Sequence, residues 1–107
     1  MATRALVFAP KTARRGEVLE IRATVQHPME TGHRSDSAGG VLPRDILRRM
    51  ECRWDGELVF AADLHAAVAA NPLLAFPVVA LASGTLSVSW TGDNGFAHTE
   101  SVAISVA

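Results

Sequence analysis

The 107-residue chain holds a single cysteine, Cys52. One thiol excludes an intramolecular disulfide framework and any structural zinc site built from several cysteines. It leaves Cys52 two principal readings: a small buried hydrophobe, or a thiol that pairs with another chain. Long apolar runs are missing as well. No stretch of about 18 apolar residues occurs, so no membrane span is expected. Before Pro10 the chain carries one charge, Arg4, and an apolar stretch too short for the core of a signal peptide, so no export signal of its own is expected. An excess of one charge is also absent: ten Lys and Arg stand against eleven Asp and Glu, a net charge of −1. A nucleic-acid binder is normally clearly basic, so that class is set aside.

What is present suits one folded domain over residues 1–107. Apolar residues make up 49% of the chain, enough for a core without covalent staples. Period-2 patterning dominates. From Glu17 to Gln26, the residues Leu19, Ile21, Ala23 and Val25 alternate with Glu20, Arg22, Thr24 and Gln26, the pattern of a half-buried strand. Leu86, Val88 and Trp90 alternate with Thr85, Ser87 and Ser89; Val102, Ile104 and Val106 alternate with Ser101, Ala103 and Ser105. Thr91 to Gly95 reads as the turn between these two strands, with Gly92 and Gly95 supplying positive φ. Asp55-Gly56 marks a second hairpin, between Met50–Trp54 and Glu57–Phe60. Leu6 to Phe8 is a short first strand. Phe76 to Leu81 is a weaker one that starts late or lies at an edge, because Pro77 has no N–H for a ladder. These segments predict an all-β, immunoglobulin-like sandwich of about seven antiparallel strands.

Two stretches fall outside that pattern. His27 to Pro43 is a long polar loop rich in Gly and Ser, of a length that usually carries function or mobility. Asp63 to Ala70 is alanine-rich; with Asp63 as N-cap it predicts a short helix, ended by Asn71-Pro72.

The loop begins His27-Pro28-Met29-Glu30-Thr31-Gly32-His33-Arg34. This phrase resembles the HPMETGxR motif of the SoxZ family, and Asp36, Gly39, Pro43-Arg44 and Ile46 follow at that family's offsets. Gly56, Val59-Phe60, Ala62-Asp63-Leu64, Asn71-Pro72, Phe76, Gly84, Trp90, Asp93 and Gly95 continue the likeness, which runs from about Lys11 to Val106. The resemblance implies an immunoglobulin-like subunit that forms a heterodimer with SoxY. SoxY carries sulfur intermediates on a cysteine near a flexible glycine-rich C-terminus, and other Sox enzymes act on the SoxYZ complex. It further implies a non-catalytic, cofactor-free protein in the periplasm, exported together with its signal-bearing partner. The residues offered for partner contact are His27, Met29, Glu30, Arg34 and Arg44 in the loop, Asn71, Pro72 and Phe76 after the alanine-rich stretch, and Asp93 in the last turn. An isolated subunit with an uncovered apolar patch is also open to self-association.

Other chemistries compete with this reading. Four histidines (His27, His33, His65, His98) and Cys52 match in number the ligands of a mononuclear-iron superoxide reductase. Those enzymes resemble one another in a His three residues after the Cys, where this chain has Asp55. A looser metal site would use His27, Glu30 and His33. No metal ligand is assigned. Cys52 shares its strand face with Met50 and Trp54, which favours an inert core thiol over an inter-chain disulfide or a catalytic nucleophile. Arg34, Arg44, Arg48 and Arg49 flank the loop as a solvated basic face, or as forks for a partner carboxylate or an anionic sulfur species. Asp36 and Asp45 lie close enough in sequence to pair with these arginines, which would remove them from external chemistry. No Ser-His-Asp set, phosphate-cradling loop or catalytic carboxylate pair is legible.

Overall fold

The computed structural model of the protein describes residues 3–107. Its strands are β1 (Ala5–Phe8), β2 (Thr12–Ala13), β3 (Val18–Val25), β4 (Leu47–Trp54), β5 (Glu57–Asp63), β6 (Leu73–Val79), β7 (Gly84–Gly92) and β8 (Ala97–Val106). They form two sheets, a three-stranded one in the order β1-β3-β6 and a five-stranded one in the order β2-β8-β7-β4-β5. All pairings are antiparallel except β2 with β8, where Thr12 and Ala13 lie parallel to Ser105 and Val106.

The alternation in sequence becomes the core directly. Leu19, Ile21, Ala23 and Val25 of β3 face Met50 and Cys52 of β4, Leu86, Val88 and Trp90 of β7, and Ile104 of β8 in one buried cluster. Burying a large apolar side chain stabilises the fold by about 1.5–3 kcal/mol. Phe60 of β5 and Phe76 of β6 stack across the open side of the sandwich, with ring centroids 4.2 Å apart and planes 5° from parallel.

The β4–β5 hairpin forms as the sequence predicts. Asp55 and Gly56 adopt φ of 48° and 85°, the two positive values that a tight primed turn demands. The Asp55 carboxylate then accepts the Thr85 amide at 2.8 Å, tying the turn to β7.

Several expectations need correction. Asp63 to Ala70 forms no helix. Asp63 is the last residue of β5, paired with Arg49, and its carboxylate accepts from the Arg49 guanidinium at 2.8 Å instead of capping. Leu64 is buried and its amide bonds Arg48 O at 2.8 Å, so the backbone is committed to the sheet before a helix can start. What remains before Asn71-Pro72 is too short to nucleate one, and a single turn closes from Val68 N to His65 O.

Strand β6 starts early, at Leu73, rather than late. It is an edge strand, and Pro77 sits in it without breaking a ladder that has a partner on one side only. Strands β4, β7 and β8 are longer than expected, and β2 had no signal in sequence. Gly92 is extended rather than left-handed, with φ of −162°; its lack of a side chain serves close packing. A Cβ there would lie 2.6 Å from Ile46 O and 3.0 Å from Leu47 Cα.

Candidate functional site

The long loop folds back on itself as a ribbon and is fastened to both sheets. Glu30 and Asp45 pair as an antiparallel bridge through two 2.7 Å amide bonds, and Ser35 bridges Val41 nearer the tip. Asp36 closes the tip: its Oδ1 accepts the amides of Ala38 and Gly40 at 2.9 and 2.8 Å. Gly32 allows the two arms to touch. Its φ is +87°, and a Cβ would sit 3.1 Å from Arg44 Cβ.

His27 anchors the ribbon's base. It is 3% exposed, packs edge-on against Phe96 with centroids 5.1 Å apart, and accepts the Met29 amide on Nδ1 at 3.0 Å. Nδ1 therefore carries no proton; Nε2–H points toward Asp45 Oδ1, 3.6 Å away. Met29 turns back with φ of 51°, and its sulfur accepts the Leu47 amide at 3.2 Å. Asn71, also left-handed at 51°, bonds the backbone of His27 twice: its Oδ1 accepts the His27 amide at 2.9 Å, and its own amide donates to His27 O at 2.8 Å.

The nine contact candidates therefore separate into two groups. His27, Met29, Pro72 and Phe76 are buried. A buried side chain cannot meet a partner, so these four hold the loop base and core together and are corrected as contact residues. Glu30, Arg34, Arg44, Asn71 and Asp93 keep some exposure, and all but Asn71 belong to ion pairs that the sequence did not indicate. Arg34 pairs with Glu30 through Nη2 and Oε1 at 2.6 Å, and that contact holds the Glu30 carboxyl below its ordinary value. Asp93 receives Arg48 at 2.6 Å, Arg44 at 3.4 Å and the Ile46 amide at 3.2 Å. The Arg48 contact, then the Ile46 amide, lower its pKa. Asp36 and Asp45, the nearer acids in sequence, take neither arginine. The two outward forks, Arg34 and Arg44, remain 70% and 50% exposed, so each is half committed inside the chain and half available.

Cys52 is fully buried in β4, opposite Phe60 and Val88, and burial pushes its thiol up to about 11. A neutral, enclosed thiol is neither a nucleophile nor positioned for an inter-chain disulfide. The histidines do not converge. His98 bonds Glu100 at 2.9 Å, His65 and His33 are exposed, and His27 is in the loop base. Among the described residues no three His, Cys, Asp or Glu side chains are grouped to hold a metal ion. The superoxide-reductase ligand set and the looser His27, Glu30, His33 set are therefore not assembled.

Comparison with known proteins places the chain. The family model "Sulphur oxidation protein SoxZ" matches residues 7–103. No curated protein is significantly similar in sequence. Among solved structures, a substituted form of the superoxide reductase neelaredoxin from Ignicoccus hospitalis superposes with a TM-score of 0.72 at 15% identity, covering 96% of this chain and 79% of that one. The sulfur carrier protein SoxY from Chlorobium limicola f thiosulfatophilum superposes with a TM-score of 0.65 at 12% identity, covering 96% of this chain and 78% of that one. At such identities both likenesses establish a shared sandwich fold and nothing about activity.

Proposed function

Because this chain belongs to the SoxZ family of sulphur oxidation proteins, we propose that it is the non-catalytic, protein-binding subunit of a sulfur carrier. It pairs with a SoxY chain that holds the carrier cysteine, and it presents the assembled carrier to the enzymes that load and unload sulfur. It reaches the periplasm by export together with that partner.

The observation that carries this reading is the family match over nearly the whole chain, joined to the state of Cys52. A protein of sulfur oxidation whose one thiol is enclosed and protonated has no group of its own on which to carry sulfur. The work left to it is recognition. Arg34 and Arg44, on the outer side of an ordered ribbon, suit a partner carboxylate or an anionic sulfur group, since a guanidinium fork grips either in two places.

The four histidines and Cys52 leave a second reading, a metal-binding sandwich. It is the weaker one, because the ligands it needs are dispersed. Co-expression with a SoxY chain from the same organism, with a tag on one chain, separates the two. The subunit reading expects equal amounts of both chains and no stoichiometric iron or zinc. A chain that leaves SoxY behind and purifies with one iron per molecule would overturn it.

A further inference from the structure

The two outer faces of the sandwich differ in chemistry. On the five-stranded sheet, hydroxyls pair across β7 and β8: Ser87 with Ser101 and Ser89 with Thr99, both at 3.0 Å. On β4 beside them, Glu51 lies between Arg49 and Arg53 at 2.9 and 3.1 Å. Leu58, beside Arg53, is an exposed apolar side chain on a face that these hydroxyl and ion pairs otherwise make polar, as expected of a wet surface.

The outer face of the three-stranded sheet is the opposite. Leu6 of β1 lies beside Thr24 of β3, and Thr24 beside Leu73 of β6. Phe8 lies beside Arg22, and Val18 beside Val79. Leu6, Phe8, Val18, Leu73 and Val79 are 57, 54, 64, 60 and 48% exposed. Together they present on the order of 500 Å² of apolar side chain, at the upper end for the largest patch of a soluble monomer. That is more than half of the ~800 Å² per partner that a standard interface buries. Ala75, Pro77 and the stems of Glu20 and Arg22 add to it. A shallow depression of about 780 Å³ opens beside Phe8, Arg22 and Leu73. At its border the Glu20–Arg22 ion pair, 2.9 Å long, keeps both side chains about 60% exposed, so that each still offers a charge outward.

We propose that the outer face of β1-β3-β6 is the seat of the thiol-bearing partner. The inference rests on the subunit reading above and adds the surface that reading lacks. The occupant is a second, different chain with an apolar face, carrying a base and an acid that meet Glu20 and Arg22. A second copy of this chain would cover the same area but would bring only another enclosed Cys52, and so would not complete a carrier.

The test is the affinity of the full chain for SoxY, measured by calorimetry. Phe8→Asp with Leu73→Asp puts two charges into the seat; Ala103→Asp puts one on the exposed opposite face and serves as control. Circular dichroism checks that each variant folds, and Leu6→Ala with Phe8→Ala replaces the charged pair if it does not. The charged pair is expected to weaken binding at least about a hundredfold, and the control to change it by no more than about threefold. Wild-type affinity in a folded Phe8→Asp/Leu73→Asp variant overturns the assignment of this face while leaving the subunit reading intact. Failure of the unsubstituted chain to bind SoxY removes the reading itself. A homodimer that the same variant dissolves gives the face to a second copy and also overturns the proposal.

Discussion

Replacing His27 with alanine tests whether the motif histidine is a structural anchor. The ring fills a buried site against Phe96 and accepts the Met29 amide at 3.0 Å. Emptying the site costs about 2 kcal/mol, toward the lower end of large-to-small core changes. The Met29 amide is then left without an acceptor in a buried place, which adds about 1–3 kcal/mol. The expected total is about 3–5 kcal/mol, a large part of the stability of a domain this size. His27→Asn separates the two contributions. Its Oδ1 stands close to where Nδ1 was, so the amide keeps an acceptor and only ring packing is lost, about 1–2 kcal/mol. Urea unfolding reads the difference directly. With a slope of about 1–1.5 kcal/mol per molar urea, the two midpoints are expected to lie roughly 1–2 M apart, with Asn the more stable. Equal midpoints for His27→Asn and His27→Ala would refute the reasoning, because the amide bond would then contribute nothing.

Other consequences can be checked separately. Cys52 is expected to resist an aromatic disulfide reagent in the native state and to react once the chain is unfolded. Its raised thiol pKa also means that the unfolded state releases a proton above the ordinary value of 9.0 while the folded state does not. Stability should therefore fall as pH rises from 9.0 toward about 11; a flat alkaline profile would contradict this. Gly92→Ala should destabilise the protein by about 1–3 kcal/mol through overpacking against Ile46 O, visible as a lower urea midpoint. On the acid side, Asp93, Glu30 and Glu51 titrate below their ordinary values of 3.8, 4.5 and 4.5. In that range the unfolded state takes up protons first, so stability present above those values is lost as pH drops through the lowered folded ones. Asp93→Asn should flatten this dependence between about pH 5 and pH 2, and an unchanged slope would exclude Asp93 as a contributor.

Where a local rule ran in step with the sheet, the sequence was enough. Leu19 to Val25 and Leu86 to Trp90 alternate so cleanly that one face of each strand had to be buried. Asp55-Gly56 could adopt its two positive φ values without help from elsewhere. The prediction failed where a local preference met a stronger tertiary one. Asp63 to Ala70 favours helix residue by residue, but Arg49 and the β4 backbone hold Asp63 and Leu64 in the sheet. Pro77 left a late start or an edge position open; the edge position holds, and there its missing N–H costs nothing, so the strand starts early. Gly92 was read for φ, when its role is to let Ile46 come close.

The candidate site was legible to the same extent. Sequence alone determined that the chain is a β-sandwich without an intramolecular cysteine framework, and that the stretch from His27 to Arg44 sets it apart, because composition, period and motif are properties of neighbours along the chain. The tertiary structure decided which motif residues face inward. His27 and Met29 are spent on the loop's own amides, Arg34 and Arg44 face out, and Cys52 is sealed between Phe60 and Val88. It also decided that Leu6, Phe8, Val18, Leu73 and Val79, scattered over three strands, form one exposed surface. Alternation tells which residues share a side of a strand. Only the packing of one sheet on the other tells which side is left for a partner.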